Sequence, residues 1–111
     1  MSFVNSSLPR TAAHPPQFSP REFRDALGMF ATGVAIVTAR SENGQPLGMT
    51  INSFNSVSLE PPLVLWSLAQ RSSLLQALTL TRHCAIHVLT AAQRPLAERF
   101  ATRGIDRWAG V

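Results

Sequence analysis

The stretch GMTINSFNSVSLEPPLV, residues 48–64, combines the residue types of a β-strand with many side chains that can hydrogen-bond. Its hydroxyl and amide groups belong to Thr50, Asn52, Ser53, Asn55, Ser56 and Ser58. On an extended segment these groups point to both faces, and they could satisfy a polar, planar ligand without introducing charge. The simpler interpretation is an edge strand whose hydroxyls are solvated, since Ser and Thr are common on half-exposed strands.

A second polar group, Arg71-Ser72-Ser73, precedes an apolar segment that is predicted to be helical. Backbone N–H groups, hydroxyls and a guanidinium at such a place could converge on a phosphate. The alternative is an ordinary Ser N-cap beside a solvated Arg, because Ser is a leading N-cap residue. The sequence alone leaves both interpretations open.

His83 and His87, with Cys84 between them, are the only arrangement that suggests a metal site. In a strand, residues four apart share a face but lie about 13 Å from each other, which is too far for one ion with ligand bonds near ~2 Å. We therefore predict no metal site.

The chain also shows no Gly-rich phosphate loop and no nucleophile elbow, and its carboxylates are scattered, so no catalytic side chain is predicted. Redox chemistry on a bound cofactor remains open, because it requires positioning more than an acid or a nucleophile.

The elements that would position these groups begin with a helix over residues 20–31, which starts at Ser19-Pro20 with Glu22 three residues after the cap. Gly33 is a plausible C-cap for it. Segments 34–39 and 46–52 flank Asn43-Gly44, a strong turn signal, and predict a β-hairpin.

The chain is expected to stay extended over 53–59, and Pro61-Pro62 is expected to break the ladder. The nearly uniform apolar run 63–69 then predicts a strand buried on both faces. Further on, Ser72 or Ser73 can cap a short helix, residues 83–89 return to strand, and Thr90 can cap a last helix. Hairpins dominate, so the fold class is mainly β with helices and an antiparallel sheet closing toward a barrel. Four or five strands are few for closure, which suggests strands beyond Val111.

The composition bounds the location and partners of the protein. The ten basic residues are all Arg and are scattered, so the net charge of +4 does not predict a groove for nucleic acid. One cysteine fits a reducing compartment, and we expect the cytoplasm. Residues 1–17, rich in proline, are expected to form a flexible arm that is neither a signal peptide nor a membrane anchor. With 14% charged residues, part of the surface is expected to be covered by a second subunit.

Several motifs in order, FRDALGMFATGVAIVTA, GMTINSFNSVSLEPPLVLWSL, RSSLLQAL, HCAIHVLTAAQRPLAERFA and GIDRWAGV, resemble the flavin reductase-like family. These are small NAD(P)H-dependent flavin reductases that serve two-component monooxygenases. The resemblance covers residues 18–111 and implies a flavin-binding split barrel, usually a homodimer. Relatives continue through further strands, so it also implies a domain that is truncated at its C-terminus.

The resemblance further implies which residues meet the cofactor, FMN or FAD. The strand Gly48–Ser53 would lie against the flavin ring, the Arg71-Ser72-Ser73 segment would take its phosphate, and Arg107 would lie in a loop that can close nearby. The implied cofactor-binding residues are Thr32, Gly33, Met49, Thr50, Ile51, Asn52, Ser53, Ser67, Leu68, Arg71, Ser72, Ser73 and Trp108.

The leading hypothesis is an NAD(P)H:flavin oxidoreductase that passes hydride from nicotinamide to the flavin and supplies a monooxygenase. Two alternatives stay open at this point: a flavin-binding protein without catalysis, and an inactive fragment of such a reductase. The strands expected after Val111 would decide between them. The sequence predicts neither NADH over NADPH nor FMN over FAD.

Overall fold

The computed structural model describes residues 17–111. The arm expected for residues 1–17 therefore lies outside the described residues except at its last position. Backbone contacts divide the chain after Ala31. The parts on either side of this point are described separately.

The first part contains helix α1, Pro20–Gly28. It begins as the sequence predicts, with a reciprocal capping box: the Glu22 backbone N–H donates to Ser19 Oγ at 3.1 Å, and the Ser19 N–H donates to Glu22 Oε2 at 2.7 Å. The predicted end was wrong. The C-cap is Met29, whose N–H donates to the Ala26 and Leu27 carbonyls, so the helix closes before Gly33 is reached.

The second part contains five strands and the remaining helices. The strands are β1 (Ala35–Arg40), β2 (Pro46–Ile51), β3 (Asn55–Leu59), β4 (Pro62–Leu65) and β5 (Cys84–Val88). The helices are α2 (Leu75–Leu80) and α3 (Arg94–Ala101), the latter preceded by a 3₁₀ turn, Ala91–Gln93. Thr90 is the N-cap of this 3₁₀ turn, where its N–H donates to Gln93 Oε1 at 2.9 Å, so the predicted capping residue precedes the turn, whereas α3 itself begins at Arg94 with Gln93 at its N-cap.

Strands β2, β1 and β5 form one antiparallel sheet in that order. The predicted hairpin between β1 and β2 is confirmed, and its loop is closed by the Ser41 N–H donating to the Gln45 carbonyl at 2.9 Å. Of the Asn43-Gly44 pair only Gly44 adopts a positive φ, +82°. That conformation is open to glycine at little steric cost.

Strands β3 and β4 form a second antiparallel sheet, and here two predictions were wrong. Pro61-Pro62 does not prevent pairing, because Pro62 is the first residue of β4 and lies opposite Leu59, a position where the missing N–H is tolerated. The strand expected over 63–69 ends at Leu65 and is not buried. Leu63, Val64 and Leu65 are each about half exposed in the described chain.

The three-stranded sheet is covered on both faces. On one face Ala35, Val37 and Ile51 form the core, with Met49, Trp66 and Ile86 packed against them. On the other face α3 contacts β2 and β1, and Phe100 is 3% exposed. Residues of β2 therefore alternate between the core and α3, as a half-buried strand requires.

The expected fold class is confirmed in its main features: mixed strands and helices, with antiparallel pairing throughout the two sheets. Within residues 17–111 the five strands do not close a barrel. In the same range, no helix has the length and apolar character needed to cross a bilayer.

Candidate functional site

Two adjoining cavities lie between β2, the segment before α2, and the segment after α3. The first, which we call the strand cavity, has a volume of about 190 Å³. It is lined by Met49, Thr50, Leu68, Ala69, Ser72, Ser73, Leu74, Phe100, Ala101, Arg103 and Arg107. The polar strand and the Ser72-Ser73 pair, which are more than twenty positions apart in the chain, thus face one space.

The second, which we call the arginine cavity, has a volume of about 360 Å³. It is lined by Pro46, Leu47, Gly48, Arg71, Ser73, Leu74, Arg103, Gly104, Ile105, Asp106, Arg107 and Trp108. Ser73, Leu74, Arg103 and Arg107 line both cavities. The two spaces are therefore neighbours separated only by these shared walls.

The charge around the cavities is strongly positive. Arg71, Arg103 and Arg107 line the arginine cavity, and Asp106 is the one carboxylate in its wall. Asp106 Oδ1 already accepts the Trp108 N–H at 3.0 Å. Guanidinium groups suit phosphate because they donate in a planar fork, so this lining favours a phosphate-bearing anion.

The residues of β2 contribute different groups to the site. Thr50 faces α3, where its hydroxyl donates to the Ala97 carbonyl at 2.6 Å. Its neighbour Ile51 is 5% exposed, with the side chain in the core, so only the backbone of Ile51 could contact a ligand. Gly48 offers its carbonyl oxygen, which accepts from Arg107 Nη1 at 2.8 Å.

The Ser72-Ser73 segment differs from the expected helix cap. Helix α2 has Leu74 at its N-cap position and no side-chain cap hydrogen bond. Ser72 Oγ instead accepts the Leu74 N–H at 3.2 Å, within the turn that precedes the helix. With six residues, α2 is too short to provide a strong dipole. Positive charge at this site comes from the arginines instead.

Trp108 is the aromatic residue in the lining of the arginine cavity. Its ring meets Phe100 edge to face, with centroids 5.1 Å apart and planes at 89°. This is a favourable arrangement for two aromatic rings. The contact ties the segment after α3 to the buried face of the helix.

Some expected site residues are not brought to these cavities. Thr32, Gly33, Ile51, Asn52, Ser53 and Ser67 line neither of them. Ser53 and Ser67 do meet each other, because Ser53 Oγ accepts the Ser67 N–H at 2.9 Å. That bond joins the end of β4 to the connection between β2 and β3.

Arg103 is a site residue that sequence reasoning missed. The signal was available: Arg99, Arg103 and Arg107 recur every four residues at the end of α3 and beyond. This spacing resembles a solvated helix face, but α3 ends at Ala101, so Arg103 and Arg107 lie beyond the helix. On β5, His87 Nε2 hydrogen-bonds with Thr38 Oγ1 at 2.8 Å, and the described residues contain no cluster of three potential metal ligands.

A family model for the flavin reductase like domain matches residues 27–111. The chain belongs to the flavin reductase-like family. The chain is 57% identical over 84 residues to "FMN reductase (NADH) SmoA" of Agrobacterium fabrum, covering 76% of this chain and 48% of the relative. It is 46% identical over 89 residues to the reductase component of "Flavin-dependent trigonelline monooxygenase" of Acinetobacter baylyi, covering 80% of this chain and 29% of the relative.

Among solved structures, the chain resembles the NADH:FAD oxidoreductase of Streptomyces globisporus in complex with NAD and FAD fragments. The TM-score is 0.73 at 38% identity, covering 85% of this chain and 58% of that one. This likeness confirms the expected split-barrel fold, of which the described residues form part. Across the first curated relatives, the chain spans between 29% and 57% of their length.

Proposed function

We propose that this protein is an NAD(P)H-dependent flavin reductase that transfers hydride from nicotinamide to FMN or FAD. The observation that carries the proposal is the pair of adjoining cavities, in which a polar strand, two serines and three arginines meet. The membership of the flavin reductase-like family supports the same activity.

The residues present fit a flavin nucleotide. Its phosphate would be held by Arg71, Ser73, Arg103 and Arg107, which surround a cavity with a single carboxylate in its wall. The ring would lie against the strand Met49–Ser53, of which Met49 and Thr50 line the strand cavity. A bound flavin supplies a hydride acceptor at its N5 atom.

Binding at the remaining expected positions is part of the same proposal. Leu68 lines the strand cavity and Trp108 the arginine cavity, so both are available to a ligand there. The hydrogen bond from Ser67 to Ser53 holds the end of β4 beside the polar strand. Thr32, Gly33, Ile51 and Asn52 line neither cavity, and their assignment is supported by the family resemblance alone.

The contribution of the protein to the reaction would be positioning and exclusion of water. Hydride transfer between two bound rings requires neither a general base nor a nucleophile, and holding reactants at attack distance can account for much of the barrier reduction. Accordingly we assign no catalytic side chain.

The reduced flavin would serve a monooxygenase. Support comes from relatives whose names describe them as reductase components of flavin-dependent monooxygenases.

We further propose a homodimer, because the apolar side chains of β4 are half exposed in the isolated chain. A cytoplasmic location is supported by the single, unpaired cysteine, Cys84.

The test is a titration of the purified chain with FMN and with FAD, followed by visible absorbance, and then by NADH and NADPH oxidation at 340 nm. Flavin-dependent loss of the reduced nicotinamide is the expected result. Bound flavin without turnover would favour a non-catalytic flavin-binding protein. Absence of flavin binding by a folded chain would overturn the proposal.

The serines provide a sharper test of the phosphate site. Replacing Ser72 and Ser73 together by Ala should weaken FMN binding by about 1–3 kcal/mol if their hydroxyls meet the phosphate. Because Ser73 lines both cavities and Ser72 only the strand cavity, we expect Ser73 to account for most of this loss. Unchanged affinity in the double variant would assign both hydroxyls to local turn structure.

A further inference from the structure

We propose that Arg99 is a positioning residue for the flavin site: it fixes the segment Thr102–Val111, which we call the tail segment, so that Arg103 and Arg107 face the two cavities. This inference rests on the proposed function. Arg99 itself lines neither cavity and is half-buried on α3. The effect that we expect of Arg99 on ligand binding is therefore transmitted by the tail segment.

The hydrogen bonds of the Arg99 side chain all go to backbone carbonyls of the tail segment. Its Nε donates to the Arg107 carbonyl at 2.8 Å, and its Nη2 donates to the Asp106 carbonyl at 3.4 Å and to the Ala109 carbonyl. These acceptors lie in one turn, in which the Ala109 N–H also reaches the Asp106 carbonyl at 3.4 Å. One guanidinium thus holds three carbonyls of the turn that carries Trp108.

Arg107 continues the connection from the turn to the sheet. Its Nε donates to the Thr102 carbonyl at 3.0 Å, and its Nη1 donates to the Gly48 carbonyl at 2.8 Å. Arg99 therefore holds the backbone of Arg107, whereas the side chain of Arg107 holds the tail segment against β2. Arg103 lies between the two anchored ends, beside both cavities.

The chemistry of the contact requires arginine. A guanidinium is a rigid planar fork with five N–H donors, and it can serve three acceptors in fixed directions. A lysine at position 99 would keep the charge but would present a single point of donation on a flexible stem. Without the fork the tail segment gains conformational freedom, and a ligand must order it again on binding.

The test compares three variants of the full chain: Arg99→Ala, Arg99→Lys and, as control, Arg94→Ala. Arg94 lies on the same helix, and its ion pair with Glu98 is exposed, so the control removes the same charge without touching the tail segment. The measurements are the FMN dissociation constant and the kcat and KM of FMN-dependent NADH oxidation. We expect both Arg99 variants to raise the dissociation constant and KM for FMN about fivefold, with kcat within about twofold, because lost preorganisation weakens binding. Arg94→Ala should match the unmodified chain.

Full affinity in Arg99→Lys would overturn the inference, since charge alone would then suffice. Equal losses in Arg94→Ala and Arg99→Ala would overturn it as well. Amide hydrogen exchange tests the positioning role without a ligand. It therefore distinguishes failure of this inference from failure of the proposed function. Arg99→Lys should exchange faster than the unmodified chain at Trp108 and Ala109, with β1 unchanged. Unchanged exchange at these amides would overturn the positioning role even if the chain binds no FMN.

Discussion

The ring of Phe100 occupies the space that a side chain on Gly48 would need. A β-carbon placed on Gly48 would come within 2.7 Å of Phe100 Cε1 and 3.0 Å of Trp108 Cζ2. The absence of a side chain at Gly48 thus lets α3 and the tail segment approach β2 closely. The same approach allows Arg107 to reach the Gly48 carbonyl.

Replacing Gly48 by Ala should destabilise the protein by about 1–3 kcal/mol, because overpacking a tight contact forces the rings or the strand to move. The free energy of unfolding in urea, followed by circular dichroism, measures the effect. Gly33→Ala is the control, since a β-carbon there meets no atom within 4 Å and its φ is not positive. An unchanged urea midpoint for Gly48→Ala would show that Phe100 can move away without cost.

Replacing Thr50 by Val should lower the free energy of unfolding by about 0.5–1.5 kcal/mol, because it removes a part-buried hydrogen bond while keeping the shape of the side chain. The bond lost is the one from the Thr50 hydroxyl to the Ala97 carbonyl. Thr79→Val is the matched control: its hydroxyl donates to the Gln76 carbonyl within α2, at an exposed site. Equal losses for the two variants would indicate that the Thr50 bond does not hold α3 to β2.

Features that depend on neighbours in sequence could be predicted from the residues. The capping box joins Ser19 to Glu22, three positions apart, and the hairpin follows from Asn43-Gly44. The convergence of the polar strand with Ser73 followed only from the family resemblance, because nothing local to either segment requires it.

Features that depend on distant contacts were missed. Arg107 donates a hydrogen bond to the Gly48 carbonyl, 59 positions away in the chain, and no local sequence pattern identifies that carbonyl as its acceptor. The burial expected for β4 was wrong for a related reason. An apolar run predicts that its side chains are buried against other residues, but it does not show whether those residues lie within 17–111. Arg103 was missed because the cavity walls that it shares with Arg71 and Ser73 come from a distant segment of the chain, and no local pattern indicates that these segments meet.

The start of α1 should depend on pH through Glu22. The hydrogen bond from the Ser19 backbone N–H, and then the one with its hydroxyl, lower the pKa of this carboxyl below its ordinary value of 4.5. A lowered pKa in the folded chain means that the stabilisation is present above the ordinary value and is lost as pH falls through the folded one. The Glu22 carboxyl shift in an NMR titration measures this pKa. Ser19→Ala should move the pKa only part of the way back, because the backbone N–H remains, and a full return would contradict the order of the two causes.

Replacing Arg103 by Ala should weaken the binding of FMN but not of riboflavin, which lacks the phosphate. Arg103 lines both cavities and is exposed, so its charge is screened by solvent and salt. We expect a loss of about 1–2 kcal/mol in FMN affinity at low ionic strength, which is less than a fully buried charged hydrogen bond contributes. The loss should shrink as salt is added. Flavin fluorescence titrations of both ligands at two salt concentrations measure the effect, with Arg94→Ala as the control for net charge. A similar loss for riboflavin would mean that Arg103 supports the ring or the tail segment rather than the phosphate.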